Sequence, residues 1–196
     1  MFEPARKSAT YADLEAVPPH LVAEILHGAL FTHPRPVPKH AVAANVLGHE
    51  LTGPYQRSRG GPGGWIFMVE PELHLGPHVV VPDLAAWRRE RLPALPDTAF
   101  IEVVPDWVCE ILSPSTEAVD RGRKLQIYAT YGLAHIWLLN PDTQVLETYE
   151  LRDDKWLLLD TFSGAVDVAA APFAAVPFPL AALWPFDEQQ PETTNE

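Results

Sequence analysis

The sequence predicts one mixed α/β domain over residues 1–186, followed by a short acidic tail at residues 187–196 that is expected to be disordered. Three observations lead there. Apolar residues make up 47% of the 196 and charged residues 20%, a globular balance rather than a disordered one. The chain carries 21 prolines, which cut it into short elements. Helix-spaced and strand-rich stretches alternate along it instead of segregating.

The elements follow in order. Thr10 and Asp13 form an N-cap pair that opens a short helix ending before Pro18-Pro19. Val22–Leu26 and Ala29–Thr32 flank His27-Gly28, a two-residue hairpin turn. Ala41, Ala44, Leu47 and Leu51 lie at helical spacing, so residues 39–52 read as a second helix. Residues 57–64, RSRGGPGG, read as a flexible loop. Trp65–Leu75 and Val79–Trp87 are β-rich and joined by Gly76-Pro77, which predicts a second hairpin, and residues 88–100 are polar loop. Trp107–Leu112 is an apolar run interrupted only by Glu110. SPST at 113–116 breaks it, Asp120 is placed to cap a helix, and Gly132 to end it. His135–Leu139, Val145–Leu151 and Trp156–Leu159 complete a β-meander.

A net charge of −12 weighs against a protein that coats nucleic acid by general electrostatics. Its distribution qualifies that. Residues 1–139 hold 15 acids and 12 bases, whereas residues 140–196 hold 11 acids and 2 bases, so most of the excess lies in the C-terminal part. A single cysteine, Cys109, fits a reducing compartment, and MFEPARKSAT lacks the apolar core of a signal peptide; both favour the cytoplasm. Residues 168–186 are uncharged over 19 positions, long enough to invite a membrane reading, but Pro172, Pro177, Pro179 and Pro185 argue against a spanning helix.

Three residues stand out chemically. Asp83 ends the VVVPD run, a position that also suits an ordinary turn former. Glu110 sits among Val108, Cys109, Ile111 and Leu112, where an ionised carboxylate needs a cationic partner or a metal. Lys124 falls in the first turn or so of the following helix. Two strand-borne carboxylates and an ammonium are what metal-dependent phosphodiester hydrolysis requires: the acids hold Mg²⁺ with its waters, and the lysine positions water or offsets developing charge.

These residues lie in an ordered set of segments: AEILHG from Ala23, VVVPDL at 79–84, PDWVCEILSPST at 105–116, DRGRKLQIYATYG at 120–132 and WLLNPD at 137–142. The set resembles the Uma-type restriction-endonuclease family of the PD-(D/E)XK nuclease superfamily. The resemblance runs from about Glu24 to Leu180–Leu183. It implies a restriction-endonuclease-like core, a central mixed sheet flanked by helices, with Mg²⁺ or Mn²⁺ held by Asp83 and Glu110. The E-x-K lysine of the parent pattern is missing, because Leu112 stands there, and Lys124 of the next helix takes its place. Glu24 is implied as an auxiliary metal ligand, with structural hydrogen bonding as its other reading. Glu72 is a weaker candidate, and His40 either supports the site or caps its helix.

The implied activity is DNA endonuclease, with Arg88, Arg89, Arg91, Arg121 and Arg123 contacting phosphates, binding that is weak, metal-dependent and salt-sensitive, and a homodimer by analogy. The rival reading is a catalytically idle nuclease-like fold serving as a DNA-binding or protein-interaction module; further alternatives are an enzyme on another substrate, or a structural partner protein whose apolar residues 168–186 mediate association. Other chemistry is poorly supported. The eight histidines lack zinc-ligand spacing, GGPGG lacks a P-loop lysine, and Ser113 lacks a nucleophile-elbow context. Cys109 reads as a small buried hydrophobe and the tryptophans as core rather than a base-stacking platform.

Overall fold

The computed structural model describes residues 8–186; the tail expected at 187–196 lies outside them. Strands β1 (Leu21–Leu26) and β2 (Ala29–Pro34) form the hairpin at His27-Gly28, both turn residues having positive φ, as a primed turn requires. Helix α1 (Tyr11–Glu15) precedes it and carries the Thr10–Asp13 capping box. Helix α2 (Pro38–Leu51) runs on into a π-helical turn, Thr52–Gln56. Its buried stripe is His40, Ala43, Ala44, Leu47 and Leu51. Ala41 is exposed, and His40 takes the inward position that spacing gave to it.

The two long strands of the expected second hairpin are each broken by a proline. Trp65–Leu75 divides into β3 (Trp65–Val69) and β4 (Leu73–Leu75) around Pro71, and Val79–Trp87 into β5 (His78–Val80) and β6 (Leu84–Arg88) around Pro82. Proline cannot donate to a sheet ladder, so the chain changes sheets at these points. β4 and β5 join the first hairpin in a four-stranded sheet of order β2-β1-β5-β4. β3 and β6 enter a six-stranded sheet with β7 (Trp107–Ile111), β8 (His135–Asn140), β9 (Val145–Arg152) and β10 (Lys155–Ser163), in the order β10-β9-β8-β7-β6-β3. All neighbours are antiparallel except β7 and β8.

A parallel pair needs a crossover. It consists of α3 (Glu117–Val119), a π-helical turn Asp120–Lys124 and α4 (Leu125–Thr130), ended by Gly132 at φ +71°. The helical stretch therefore begins before Asp120. Asp120 is not its cap but lies buried inside it, and Lys124 stands beyond the first turn.

Side chains of β6, β7 and β8 alternate between two buried faces, as strand geometry requires. Leu84, Ala86, Trp107, Cys109, Ile111 and Trp137 pack toward α2 and the C-terminal segment. Ala85, Trp87, Val108, Ile136 and Leu138 pack toward α4 and the four-stranded sheet. Glu110 belongs to this second face.

The apolar C-terminal segment is consumed by the first. Phe173 is buried with ring centroids 4.9 Å from Tyr55 and Trp65, 5.2 Å from Trp107 and 5.8 Å from Trp137. Phe178, Leu180 and Leu183 are buried beside it, so much of the segment supplies core, while Phe186 at its end is 83% exposed. No helix among the described residues is long and apolar enough to cross a membrane. Trp87, Trp107, Trp137 and Cys109 are fully buried, in keeping with core roles.

Candidate functional site

The break at Val81-Pro82-Asp83 leaves backbone groups beyond the reach of either sheet, and side chains satisfy them. Val81 N–H donates to Glu24 Oε1 at 2.7 Å, its carbonyl accepts from Lys124 Nζ at 3.2 Å, and Pro82 has no N–H. The β6–β7 ladder ends at Leu84–Cys109, and the next free amide, Ile111 N–H, donates to Asp83 Oδ2 at 2.6 Å. Buried backbone donors need such partners, so the two acids are fixed by the fold itself.

Glu110 lies at the C-terminal end of β7, where an open α/β sheet places ligands. It is 1% exposed. Oε1 accepts from Tyr128 O–H at 2.6 Å and Oε2 from Lys124 at 3.2 Å. Lys124 Nζ also lies 3.0 Å from Glu24 Oε1 and 3.3 Å from Asp120 Oδ1. The ammonium is thus held among three buried carboxylates. His40 Nε2 stands 3.2 Å from Asp83 Oδ1, so His40 supports the acid and does not cap α2, whose N-cap is Val37.

The charges do not balance. Glu24, Asp83, Glu110 and Asp120 face Lys124, His40 and, 4.0 Å from Glu24 Oε2, His33, so the acids outnumber their partners even with both imidazoles protonated. Burial pushes the Glu110 pKa well up; Lys124 pulls it down, and Asp120, Asp83 and Glu24 add to the rise. For Lys124, burial acts to lower the pKa but Glu110, Glu24 and Asp120 outweigh it, so the group is held firmly as ammonium. For His40, burial likewise opposes protonation, and Asp83 overrides it.

These groups line a cleft of about 380 Å³, whose wall also includes Phe31, His33, Arg35 and Ser113. Among the described residues, no group of three or more His, Cys, Asp or Glu side chains is arranged to hold a metal ion. The donor chemistry nevertheless fits Mg²⁺ or Mn²⁺. Both ions prefer hard oxygen ligands, and Mg²⁺ commonly binds through one or two carboxylates while keeping several waters. Asp83 and Glu110 are such a pair on one cleft, in a setting with surplus negative charge.

The structure brings Asp83, Glu110, Lys124, Glu24 and His40 together. It leaves Glu72 outside the cleft, occupied by Tyr11 O–H at 2.8 Å and His74 at 2.7 Å. Arg88, Arg89 and Arg91 are also elsewhere: β6 carries them to its far end, about 17 Å of extended strand from Asp83. There Arg88 lies over Trp65 and Arg91 pairs with Asp106 at 2.8 Å. Arg121 is engaged by Glu117 and Glu147, while Arg123 lies over Phe31, a residue of the cleft wall. Asp120 and Tyr128 are members of the cluster that sequence reading passed over. Their signal was the four-residue spacing Asp120–Lys124–Tyr128 on one helical face, a spacing too common to stand out without the fold.

Comparison with known proteins agrees with this architecture. Residues 8–178 match the Uma2 family, described as "Putative restriction endonuclease". A stretch of 65 residues is 45% identical to the uncharacterized protein slr1290 of Synechocystis sp., covering 32% of this chain and 34% of that protein, so the match spans about a third of the curated relative. The crystal structure of a putative nuclease belonging to DUF820 from Anabaena variabilis superposes with a TM-score of 0.67 at 21% identity. It covers 89% of this chain and 97% of that one, a likeness of fold. A mixed sheet flanked by helices, a nuclease-like arrangement with a lysine bridging buried acids, and a family match over most of the sequence lead to one assignment: the chain belongs to the Uma2 family.

Proposed function

We propose that this protein is a metal-dependent endonuclease hydrolysing DNA phosphodiester bonds, with Asp83 and Glu110 as ligands for Mg²⁺ or Mn²⁺ and Lys124 as the assisting cation. The observation that carries the reading is the convergence of Asp83, Glu110 and Lys124, from three separate segments, on one cleft with surplus negative charge. A bound divalent ion would polarise the phosphoryl oxygen and lower the pKa of a coordinated water.

The chain's own groups have distinct tasks. Tyr128 fixes one oxygen of Glu110, and Ile111 N–H and His40 fix the two oxygens of Asp83, so both acids are oriented before any ligand arrives. Glu24 and Asp120 hold the Lys124 ammonium at the cleft, where its charge offsets negative charge developing on the phosphate. Glu24 serves in this reading as an auxiliary ligand as well as an anchor. Arg123, beside the cleft wall, is a phosphate contact of this reading.

Purified protein incubated with supercoiled plasmid and Mn²⁺ tests it. Nicking is expected, with loss in Asp83→Ala, Glu110→Ala and Lys124→Ala; undiminished nicking in all three overturns the assignment of roles. One observation favours a second reading, an idle nuclease-like binding module. Lys124 already pairs with three carboxylates, and among the described residues no three-donor group stands ready. That reading predicts salt-sensitive DNA retention without metal-dependent products.

A further inference from the structure

The cleft does not end at Asp83. A second hollow of about 150 Å³ shares Pro36, His40 and Asp83 with it. This second hollow in turn shares Ala44, Asn45 and Val69 with a third, of about 320 Å³, which reaches Arg57 and Arg59. The three form one groove along α2 and its π-helical extension. From His40 to Thr52 it follows about 18 Å of helix, or roughly five base steps of a duplex.

Its composition is unlike that of an apolar docking site. Ala41, Ala44, Gly48 and Gly53 keep the floor low, and a Cβ added at Gly53 would meet nothing within 4 Å. Asn45, His49 and Thr52 line it with hydrogen-bonding groups. At its far end Arg57 and Arg59 are exposed, and among the described residues neither forms an ion pair, unlike Arg35, Arg91 and Arg121. Their charge is therefore available to an external anion.

The loop that carries them is built to hold position. Arg57 N–H donates to Thr52 O at 3.1 Å, Arg59 N–H to Gly53 O at 3.0 Å, and Gly63 N–H to Pro54 O at 3.0 Å. A Cβ at Gly61 would collide with the Pro54 backbone. Here glycine allows close packing of the loop on the helix end, a different use from the flexibility its composition suggested.

We infer that this groove is the track for the phosphodiester backbone of DNA leading to the cleft, with Arg57 and Arg59 as its distal phosphate clamp. The inference rests on the nuclease reading, and it moves the principal phosphate contacts from Arg88, Arg89 and Arg91 to Arg57 and Arg59, on the loop whose last residue, Gly64, accepts from Arg89 N–H at 2.9 Å. Two arginines on a pinned loop present charge to phosphate, whereas acids crowd the other end of the groove and the acid of its middle hollow, Glu70, is paired with Arg35 at 3.3 Å.

The test is fluorescence anisotropy of an end-labelled 20-base-pair duplex over a salt series, in Ca²⁺ and in Mn²⁺, alongside plasmid nicking. Arg57→Ala/Arg59→Ala is expected to weaken binding about tenfold and to reduce the slope of log K against log salt by about two, with unchanged thermal melting. Ala41→Glu, which puts a negative charge in the hollow beside His40, is expected to weaken binding without removing any base. Arg88→Ala/Arg91→Ala is expected to leave the slope unchanged. A wild-type protein that binds and nicks DNA, with both groove variants unaffected, overturns the track and leaves the nuclease reading standing. A wild-type protein that neither binds nor nicks overturns both.

Discussion

At the Asp83 end of β6, four carboxylates crowd around one ammonium and two imidazoles, largely out of solvent. At the Arg88 end, a single acid, Asp106, accepts from Arg88 N–H and from the Arg91 guanidinium, each at 2.8 Å, and the arginines reach into solvent. The second arrangement is nearly neutral and completes a strand end. The first retains excess charge inside a cleft, which costs folding stability and suits binding a cation. Position along one strand thus separates a charge-rich cleft cluster from a nearly balanced strand end, although both appear in the sequence as acids and bases around a β-rich run.

Substitutions can sharpen that contrast. The largest effect belongs to Glu110→Gln, which keeps the shape and removes the charge. Nicking should fall by at least about a hundredfold, while the chelated protein should melt at a higher temperature. Burial and three neighbouring acids disfavour the ionised Glu110, so a neutral isostere relieves the protein. A lower melting temperature would show that the Lys124–Glu110 pair outweighs that relief.

Lys124→Ala should have the opposite effect on stability. It leaves Glu24, Glu110 and Asp120 without their shared cation and should cost about 3 kcal/mol in urea unfolding of the chelated protein. A loss below about 1 kcal/mol would mean that solvent already screens the cluster.

His40 gives a pH-dependent effect of intermediate size. Its folded pKa lies above the ordinary 6.5, because Asp83 outweighs burial. Its pairing with Asp83 therefore stabilises fully below about pH 6.5 and fades as pH rises through the higher folded value. Without metal, wild type should exceed His40→Gln by about 1 kcal/mol at pH 6, and the gap should narrow by pH 9. A constant gap would assign His40 a packing role only. The smallest effect is expected at the other end of β6: Arg91→Ala should change stability by less than about 1 kcal/mol and leave nicking unaltered.

Much of this organisation was legible from local patterns. The His27-Gly28 hairpin, α2 and the meander follow from turn chemistry and periodicity, and Glu110 drew notice because an acid in an apolar run needs a partner. The sheet exchange at Pro71 and Pro82 was less visible. Both prolines interrupt runs whose residues remain β-formers on either side, so composition alone reads continuity where the chain changes partners. Lys124 stands out as the ammonium on the helix after Glu110, and family resemblance gives it the place of the missing E-x-K lysine; its partner Asp120 reads as a cap because helix-opening acids are common, whereas the helix begins earlier. The arginines at 88–91 were grouped with the site by type; strand direction, which composition does not encode, carries them away from it.

The dual duty of the acids around Pro82 affects how relatives should be compared. Glu24 and Asp83 each complete a backbone hydrogen bond as well as facing the cleft, so a descendant that abandoned catalysis would still have reason to retain them. Glu110 satisfies no backbone amide among its described bonds; its oxygens answer only to Lys124 and Tyr128. Retention of Glu110 with Tyr128 is therefore the more telling mark of a working site, and replacement of that pair by apolar residues, with Asp83 intact, is the expected signature of a relative reduced to a scaffold.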